Sequence, residues 1–574
     1  MAAVRAPAER YDVAILGGGL AGLTLAIQLE LARPQTRVVV LEKREGPAPL
    51  AAFKVGESTV ACGAHYFSEV VGVREHLQQE QLKKCGLRYF LPSESNADIT
   101  ARTELGIPFF PPHDNFQLDR GLFENKLAAR ARALGVDLQQ GARVREVELG
   151  GDAHRVTFEQ FDGENRLTAR WVVDAAGRAS LLKRKLDLAT DCGHHINSSW
   201  IRLGGGLDLE DWGREDAAWM ARMSEPGIRM LSTNHLMGEG YWVWMIPLSS
   251  GPISIGVCAD PRFHAYEEIS EFDRLLSWLH QHEPQLAATI AARQGDVEDF
   301  LRVKDFAYGV KQTYSTDRWS LVGEAAAFAD PFYSPGSDFI GYGNTFTADL
   351  VVRDLDGEDI AARADYFNDM YQRQFAFVIS RYRDSYSLFG NAWVLCGYLT
   401  WDFYANHIGY NLLFTQNRAT DLEFMGRADE YLDRLERLSI NTHKLLREWH
   451  ELERRPRAPV MPPPFAVAIQ GLLGLVKEYP DDDALLDALR EHVRNSEALA
   501  IAIFERAARA LPESLPADTA IDPYAVSLNP ARWAADGLLD GGKMTVEQAR
   551  QIVDGIDGVW DAVAPAPIAV EGAR

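Results

Sequence analysis

Cysteine is scarce in this sequence, and its five cysteines are scattered without a Cys-x-x-Cys pair: Cys62, Cys85, Cys192, Cys258 and Cys396. This usage disfavours structural disulfides and a thiolate metal site. Basic residues are in deficit as well, with 59 Lys and Arg against 82 Asp and Glu and a formal charge of −23. Nucleic-acid binding needs a basic face, so we do not expect a nucleic-acid partner.

Long hydrophobic runs are also absent. The longest apolar stretch, Phe465–Val476, is shorter than the roughly 18 residues that indicate a membrane-spanning helix. No secretory segment precedes the first predicted strand, and no histidine spacing supports a metal site. We therefore expect a metal-free cytoplasmic protein, with no transmembrane segment, in a reducing compartment. A chain of 574 residues is too long for one core and predicts two or three domains.

A dinucleotide-binding unit is predicted at the start of the chain, in "YDVAILGGGLAGLTLAIQLELARPQTRVVVLEK". A buried strand, the motif of Gly17, Gly19 and Gly22, a helix, a second strand and the acidic Glu42 occur in the order that such units require. The glycines allow a tight turn and close approach of a pyrophosphate to the helix N-terminus, and Glu42 is placed to accept from a ribose hydroxyl. A glycine-rich turn without a ligand is the simpler alternative.

Three later stretches indicate FAD rather than NAD: "FQLDRGLFENKL", "WVVDAAGRASLL" and "RWSLVGEAAAFADP". They resemble the FAD signatures of the flavin monooxygenase fold of the para-hydroxybenzoate hydroxylase type, over about residues 10–345. That family usually has Asp where Glu324 stands, so the longer side chain alters the ribityl contact or makes it through water. The resemblance implies that the cofactor contacts Arg120, Asp174, Gly323, Glu324 and Pro331.

Two tryptophans in "YWVWMIP" lie on one face of a predicted strand, because residues i and i+2 point the same way. Trp is difficult to bury unless its N–H finds a partner, and a core strand ending at a turn is the simplest interpretation. Trp242, Trp244 and Pro247 also match the W-x-W-x-I-P motif that is typical of flavin-dependent halogenases. The resemblance implies that the indoles separate the flavin from the organic substrate, so that only a small oxidised halogen passes.

Two further stretches are similar to halogenase segments. The first, "FKVGEST", resembles the mobile strap over the flavin ring and implies cofactor contacts from Lys54, Val55, Gly56, Glu57 and Ser58. The second, "QLKKCGLRYF", resembles the segment that carries the halogenase lysine; Lys84 aligns better than Lys83. Such a lysine hydrogen-bonds hypohalous acid or reacts to a haloamine, and desolvation lowers its pKa in a way that suits either role. Two exposed lysines at a helix end are the alternative.

The stretch "DPFYSPGSDFIGYGN" resembles the halogenase loop after the ribityl-binding strand. Backbone N–H groups of a glycine-containing turn make an anion-sized nest, and the resemblance puts halide at Ser334, Pro335 and Gly336. Pro335 has no N–H, so Gly336 and its neighbours would supply the donors. Tyr333 stands where tryptophan halogenases have a glutamate, which disfavours tryptophan and favours a phenol or pyrrole substrate.

The predicted fold class is α/β: a Rossmann-like FAD-binding domain (residues 1–190 and 300–345), a β-sheet substrate domain (191–300) and a helical C-terminal extension (346–574). The extension is rich in aromatic residues between about 366 and 414. An aromatic core is the simpler interpretation, and a hydrophobic cap over a flat aromatic substrate is the functional one.

These observations predict a halogenase that uses FADH2, O2 and chloride or bromide to form hypohalous acid, which then substitutes an electron-rich aromatic ring. Only one dinucleotide motif is visible, so a separate flavin reductase is the expected partner. The substrate is a small aromatic molecule, either free or tethered to a carrier protein. The alternatives are a flavin-dependent monooxygenase or dehydrogenase on the same scaffold, and a flavoprotein without catalytic activity.

Overall fold

The computed structural model describes residues 10–51, 55–161, 163–453, 460–462, 471–513, 515–539 and 542–563. The predicted strap residue Lys54 and the first half of the apolar stretch Phe465–Val476 lie outside the described residues. None of the helices in these ranges is both long and apolar enough to span a membrane.

An eight-stranded sheet carries the N-terminal dinucleotide unit. At its centre Arg10–Leu16 pairs in parallel with Val38–Glu42 on one side and with Gly163–Asp174 on the other. The central strand and Val38–Glu42 are mostly apolar and buried, as is the end of Gly163–Asp174 from Trp171 onward, as expected for a parallel sheet covered on both faces. The remaining strands of this sheet are Asp137–Gln140, Arg143–Glu148, His154–Gln160, Tyr314–Ser315 and Trp319–Leu321.

A second sheet of seven strands is mostly antiparallel. Its strands follow one another in the spatial order Val297–Val303, Asn197–Leu203, Ile253–Ala259, Tyr241–Pro247, Thr233–Gly238, Leu87–Phe90 and Glu104–Leu105. The last two come from the segment that the sequence assigned to the FAD-binding domain. Leu87–Phe90 pairs in parallel with Thr233–Gly238, a contact between distant segments that local sequence pattern does not reveal.

The described residues also form seven helices of 13 or more residues. They are α1 (Leu20–Ala32), α2 (Arg120–Leu134), α3 (Gly336–Leu355), α4 (Ala361–Tyr382), α5 (Ala392–Ile408), α6 (Leu422–Leu452) and α7 (Asp482–Ala508). Shorter helices are Ala61–His65, Arg74–Glu80, Leu181–Lys185, Ala217–Met220, Tyr266–Ile269, Phe272–His282, Pro284–Ala292, Tyr410–Thr415, Val546–Ile552 and Ile556–Val563.

The C-terminal helices pack around α5, which is buried over nearly its whole length and contacts α6 and α7. A helix that is apolar all round belongs inside a protein, so the aromatic-rich segment forms a core. The predicted α/β class, with a parallel sheet, a second sheet and a helical C-terminal region, is confirmed.

Candidate active site

The glycine turn after the first strand has the backbone that its motif predicts. Gly17 has φ of +118°, a conformation that favours glycine. A Cβ atom on Gly22 would lie 2.0 Å from the Gly17 carbonyl oxygen, so only glycine lets α1 pack this closely. Gly19 precedes α1 without a side-chain cap, which leaves the backbone N–H groups of the first turn available to an anion.

Beside this turn lies a large cavity, the nucleotide cavity, of about 690 Å³, a volume that suits a ligand as large as a dinucleotide. Gly17, Gly19, Glu42, Arg120 and Glu324 all line it. The Glu42 carboxylate accepts hydrogen bonds from Gly18 N–H at 2.7 Å and Arg44 N–H at 2.8 Å, which fixes it at the cavity edge. The glycine cradle, the uncapped helix N-terminus and the acid together fit the predicted dinucleotide.

Asp174 is not among the residues that line the cavities. It is fully buried, and its oxygens accept from Ala176 N–H at 3.0 Å and Leu182 N–H at 2.8 Å. Burial raises the pKa of Asp174 to about 6. The cofactor contact of Asp174 stays a prediction; its carboxylate holds the turn whose residues Ala175 and Gly177 line the nucleotide cavity.

The nucleotide cavity adjoins a second one, the ring cavity, of about 110 Å³. Residues that line both include Val55, Arg120 and Glu324. Arg120 donates to the Val55 carbonyl at 2.8 Å and pairs with Glu124 at 2.7 Å, so a buried arginine at the start of α2 anchors the predicted strap. The predicted residues that also line the ring cavity are Gly56, Glu57, Ser58, Gly323, Pro331, Ser334, Pro335 and Gly336.

The strap is held from the second sheet as well. Arg202 bonds Glu57 and Asp299, each at 2.8 Å, and all three side chains are nearly inaccessible to solvent. Burial raises the pKa of Glu57, although the charge of Arg202 opposes that shift. The ion pair of Arg202 with Glu57 links the strap to the strand Asn197–Leu203.

Trp242 and Trp244 form one wall of the ring cavity. The Trp242 N–H donates to the Tyr386 hydroxyl at 2.8 Å, and the Trp244 N–H donates to the Ser254 hydroxyl at 3.1 Å. Both indoles therefore find the partner that burial requires. Pro247 ends the strand Tyr241–Pro247 and lines none of the three cavities described, so its part in catalysis stays a prediction.

A third cavity, the distal cavity, has a volume of about 130 Å³ and lies beyond the ring cavity. Three features form the partition between the ring cavity and the distal cavity. His235 of the ring cavity stacks on Tyr89 of the distal cavity with centroids 4.7 Å apart. Tyr333 lines the distal cavity while the next residue, Ser334, lines the ring cavity.

Lys84 is the third feature of this partition. It is fully buried and lines the distal cavity, and its ammonium group donates to the Ser58 hydroxyl at 2.7 Å and the Thr59 carbonyl at 2.8 Å. Lys83, by contrast, is half-exposed and pairs with Asp114 at 3.2 Å. The two adjacent lysines thus have opposite environments, and only Lys84 links the two cavities.

Burial changes the ionisation of the groups near Lys84. It lowers the pKa of Lys84 to about 7, while the negative charge of Asp338 acts in the opposite direction. Burial likewise raises the pKa of Asp338 to about 7, opposed by a 2.7 Å hydrogen bond from Gly63 N–H and by the charge of Lys84. The pKa of His113 falls to about 3 and that of His407 to about 4, chiefly because both are buried, so the imidazoles of this cavity are neutral.

Several residues of the site were not predicted. Asp338 lies in the quoted loop, but its role depends on an electrostatic interaction with Lys84 that spacing does not show. The outer wall of the distal cavity comes from α4 and α5 and includes Arg381, Asp402 and His407. No local motif marks these residues in the aromatic-rich helices, so the sequence held no signal for them beyond the suggestion of a cap.

Comparisons with known proteins agree with this geometry. Among curated proteins, the chain is 29% identical over 363 residues to "Flavin-dependent halogenase chlA" of Dictyostelium discoideum, covering 57% of this chain and 58% of that protein. It is 25% identical over 361 residues to "1H-pyrrole-2-carbonyl-[peptidyl-carrier protein] brominase" of Pseudoalteromonas luteoviolacea, covering 61% and 79%. The chain therefore spans less than two thirds of the Dictyostelium relative. The predicted resemblance to flavin-dependent halogenases is confirmed.

The fold agrees with solved structures as well. The crystal structure of halogenase PltM matches with a TM-score of 0.61 and 18% identity, covering 85% of this chain and 96% of that one. A family model described as "FAD binding domain" matches residues 10–326, a span that contains the glycine turn, the strap, Arg120 and Glu324. The chain belongs to the FAD-binding domain family, and FAD is the dinucleotide that its nucleotide cavity fits.

Proposed function

We infer that this protein is a halogenase that uses reduced FAD to install chloride or bromide on an electron-rich aromatic ring through hypohalous acid. The observation that carries the proposal is the buried Lys84 ammonium group, which lines the distal cavity and bonds to Ser58 of the ring cavity. A separate flavin reductase would supply the reduced cofactor. The five buried cysteines are not joined by disulfides, which favours a reducing, cytoplasmic location.

The residues that would hold FAD are divided between two cavities. The N-terminus of α1 suits the pyrophosphate, and Glu42 suits a ribose hydroxyl. Arg120 and the strap from Val55 to Ser58 would cover the flavin ring, with Glu324 beside the ribityl chain. When reduced and bound, FAD supplies the electrons for O2 and the oxidising equivalent for halide.

The loop before α3 suits the halide. Ser334 has φ of +57°, and this left-handed turn lets the chain enter α3 with free N–H groups at Gly336 and Ser337 near the ring cavity. The N-terminus of a long helix also favours an anion through its dipole. Chloride and bromide are small enough to be bound there by backbone donors alone.

The partition limits which molecules can pass from the ring cavity to the distal cavity. Trp242 packs against His235 and Phe332, with centroids 5.4 and 5.2 Å apart, and this group of rings keeps an organic substrate from touching the flavin. Hypohalous acid is small enough to pass. Lys84 would hydrogen-bond it on the distal side and polarise the halogen toward the aromatic ring.

Two other functions need different geometry. A flavin monooxygenase or dehydrogenase on this scaffold requires direct contact between flavin and substrate, which the aromatic partition opposes. A flavoprotein without catalytic activity has no use for a buried lysine between two cavities, because burying an ammonium group costs free energy. Carrier-protein tethering, named for the Pseudoalteromonas relative, remains one of two forms in which the substrate could be delivered.

The test is a reaction with FAD, a flavin reductase, NADH, O2 and bromide, offered a panel of phenols, pyrroles and indoles. We expect products with the bromine isotope pattern in mass spectrometry. Lys84→Ala should lower brominated product by about 100-fold or more while flavin reoxidation continues, because general acid catalysis contributes about 10²- to 10⁴-fold.

Lys83→Ala is the matched control, since its side chain is half-exposed and outside the cavities, and it should retain activity. Hydroxylated products that form without halide would instead identify a monooxygenase. Bromination at the wild-type rate by Lys84→Ala would remove the basis of the proposal.

A further inference from the structure

The distal cavity contains a buried pair of opposite charges on its C-terminal wall. Arg381 at the end of α4 and Asp402 on α5 both line the cavity, and their side chains are 2% and 1% exposed. Arg381 Nε and Asp402 Oδ1 are 3.9 Å apart, too far for a direct hydrogen bond. The two groups attract each other as an ion pair, but neither is hydrogen-bonded to the other.

The Arg381 guanidinium is only partly bonded. Its Nη1 donates to Asn406 Oδ1 at 3.1 Å, and the group lies over the Phe377 ring at 4.2 Å. Nε and Nη2 have no hydrogen-bond partner in the part of the chain that the structure describes. Buried polar groups almost always have partners, so these two donors point to a ligand or solvent acceptor in the cavity.

Asp402 offers the complementary group. Its Oδ1 lies 2.9 Å from His443 Nε2, and among the described residues its Oδ2 has no hydrogen-bond partner. Burial and nearby negative groups, Asp402 among them, raise the pKa of Tyr89 and of Tyr333. Both tyrosines line the distal cavity, so the carboxylate lies close to the cavity interior.

A hydroxyl group can bond to an unpaired donor and to a neighbouring unpaired acceptor at the same time. A hydroxyl group can accept one hydrogen bond and donate another from the same oxygen, whereas a pyrrole or indole N–H only donates and an ether only accepts. The cavity volume of about 130 Å³ approaches the roughly 150 Å³ of an engineered cavity that binds benzene. One aromatic ring with its hydroxyl against the wall fits this space.

We propose that Arg381 and Asp402 bind one ring hydroxyl between them and so make the substrate a phenol rather than a pyrrole or an indole. The inference rests on the proposed function, because it concerns the substrate of the same site. The hydroxyl oxygen accepts from the guanidinium and donates to Asp402 Oδ2. Analogues that lack either capacity leave a buried donor or acceptor without a hydrogen-bond partner, and that loss weakens their binding.

The test measures binding without turnover, so that its outcome does not depend on halogenation. Calorimetry on the protein loaded with oxidised FAD, without halide or reductase, compares phenol with anisole and pyrrole. We expect phenol to bind on the order of tenfold more tightly than either. Asp402→Asn and Arg381→Lys should each reduce that ratio to about threefold or less, with FAD absorbance and melting temperature reporting the folded state.

The matched controls are Arg373→Lys and Asp429→Asn. These residues form an ion pair between α4 and α6 and line none of the cavities, so the phenol preference should survive. Equal binding of phenol and anisole to the wild-type protein would overturn the proposal, and that comparison needs no variant to fold. An undiminished preference in folded Asp402→Asn would overturn it as well, even if bromination of the panel had already succeeded.

Discussion

Lys84 and Asp338 are both ionised in water, and both are buried here. Burial moves their pKa values toward each other, to about 7 in each case, and their mutual attraction opposes the shift. Two of the hydrogens on the Lys84 ammonium already serve Ser58 and Thr59, and the protonated form leaves a third for an incoming molecule. Asp338 therefore supports the cationic lysine without touching the distal cavity itself.

This arrangement predicts how halogenation depends on pH. If the ammonium form acts, the rate of a single turnover falls as pH rises through about 7, the pKa of Lys84. Asp338→Asn removes a charge that raises the pKa of Lys84, so the fall should move to lower pH. The measurement is product formed from pre-reduced FAD between pH 5.5 and 9. A rate that rises across this range would mean that the neutral amine reacts, and an unmoved profile in Asp338→Asn would exclude the influence of the carboxylate.

At the scale of elements, a hydrogen bond to the C-terminal region fixes the position of the strand Tyr241–Pro247. The Trp242 N–H donates to Tyr386 OH, which donates to Asp330 Oδ2 at 2.7 Å, and His194 lies 2.8 Å from the same oxygen. All four side chains are buried. The chain of bonds joins the second sheet, the segment after α4 and the loop before α3, so it holds the aromatic partition in one position.

Tyr386→Phe tests this network. The substitution leaves the Trp242 N–H buried without its partner, which costs about 1–3 kcal/mol, and it releases the indole from its fixed orientation. We expect a lower melting temperature and less halogenated product per FADH2 oxidised. Tyr371→Phe is the matched control, because the Tyr371 hydroxyl is buried and has no partner among the described residues; its loss should lower neither quantity. Wild-type coupling in Tyr386→Phe would contradict a positioning role.

The elements of the site differ in how well the sequence predicts them. The glycine turn, Glu42, the strap and the Trp242 wall were predictable because each is encoded within a few consecutive residues. Asp174 and Pro247 line none of the described cavities; their residue types and spacing match a motif whether they act at a cavity or support a turn, so their predicted roles stay predictions. Arg381 and Asp402 could not be found, because their meeting depends on how α4 and α5 pack.

The whole molecule carries a formal charge of −23, while its proposed small substrate, halide, is an anion. The summed field of an acidic protein lowers the local concentration of anions and slows their association. Screening weakens that field, since the Debye length falls from about 30 Å at 0.01 M to about 10 Å at 0.1 M ionic strength. Among the steps of the proposed reaction, the association of halide should therefore depend most strongly on the net charge of the protein.

We expect kcat/KM for bromide to rise, by about twofold or more, when sodium sulfate raises the ionic strength from 0.01 to 0.1 M at constant pH. The turnover at saturating bromide should stay constant, because the chemistry occurs in buried cavities where salt screens little. A neutral aromatic substrate provides the internal control, since its KM has no reason to follow the field. If kcat/KM for bromide falls instead, local positive groups outweigh the net charge and draw halide in.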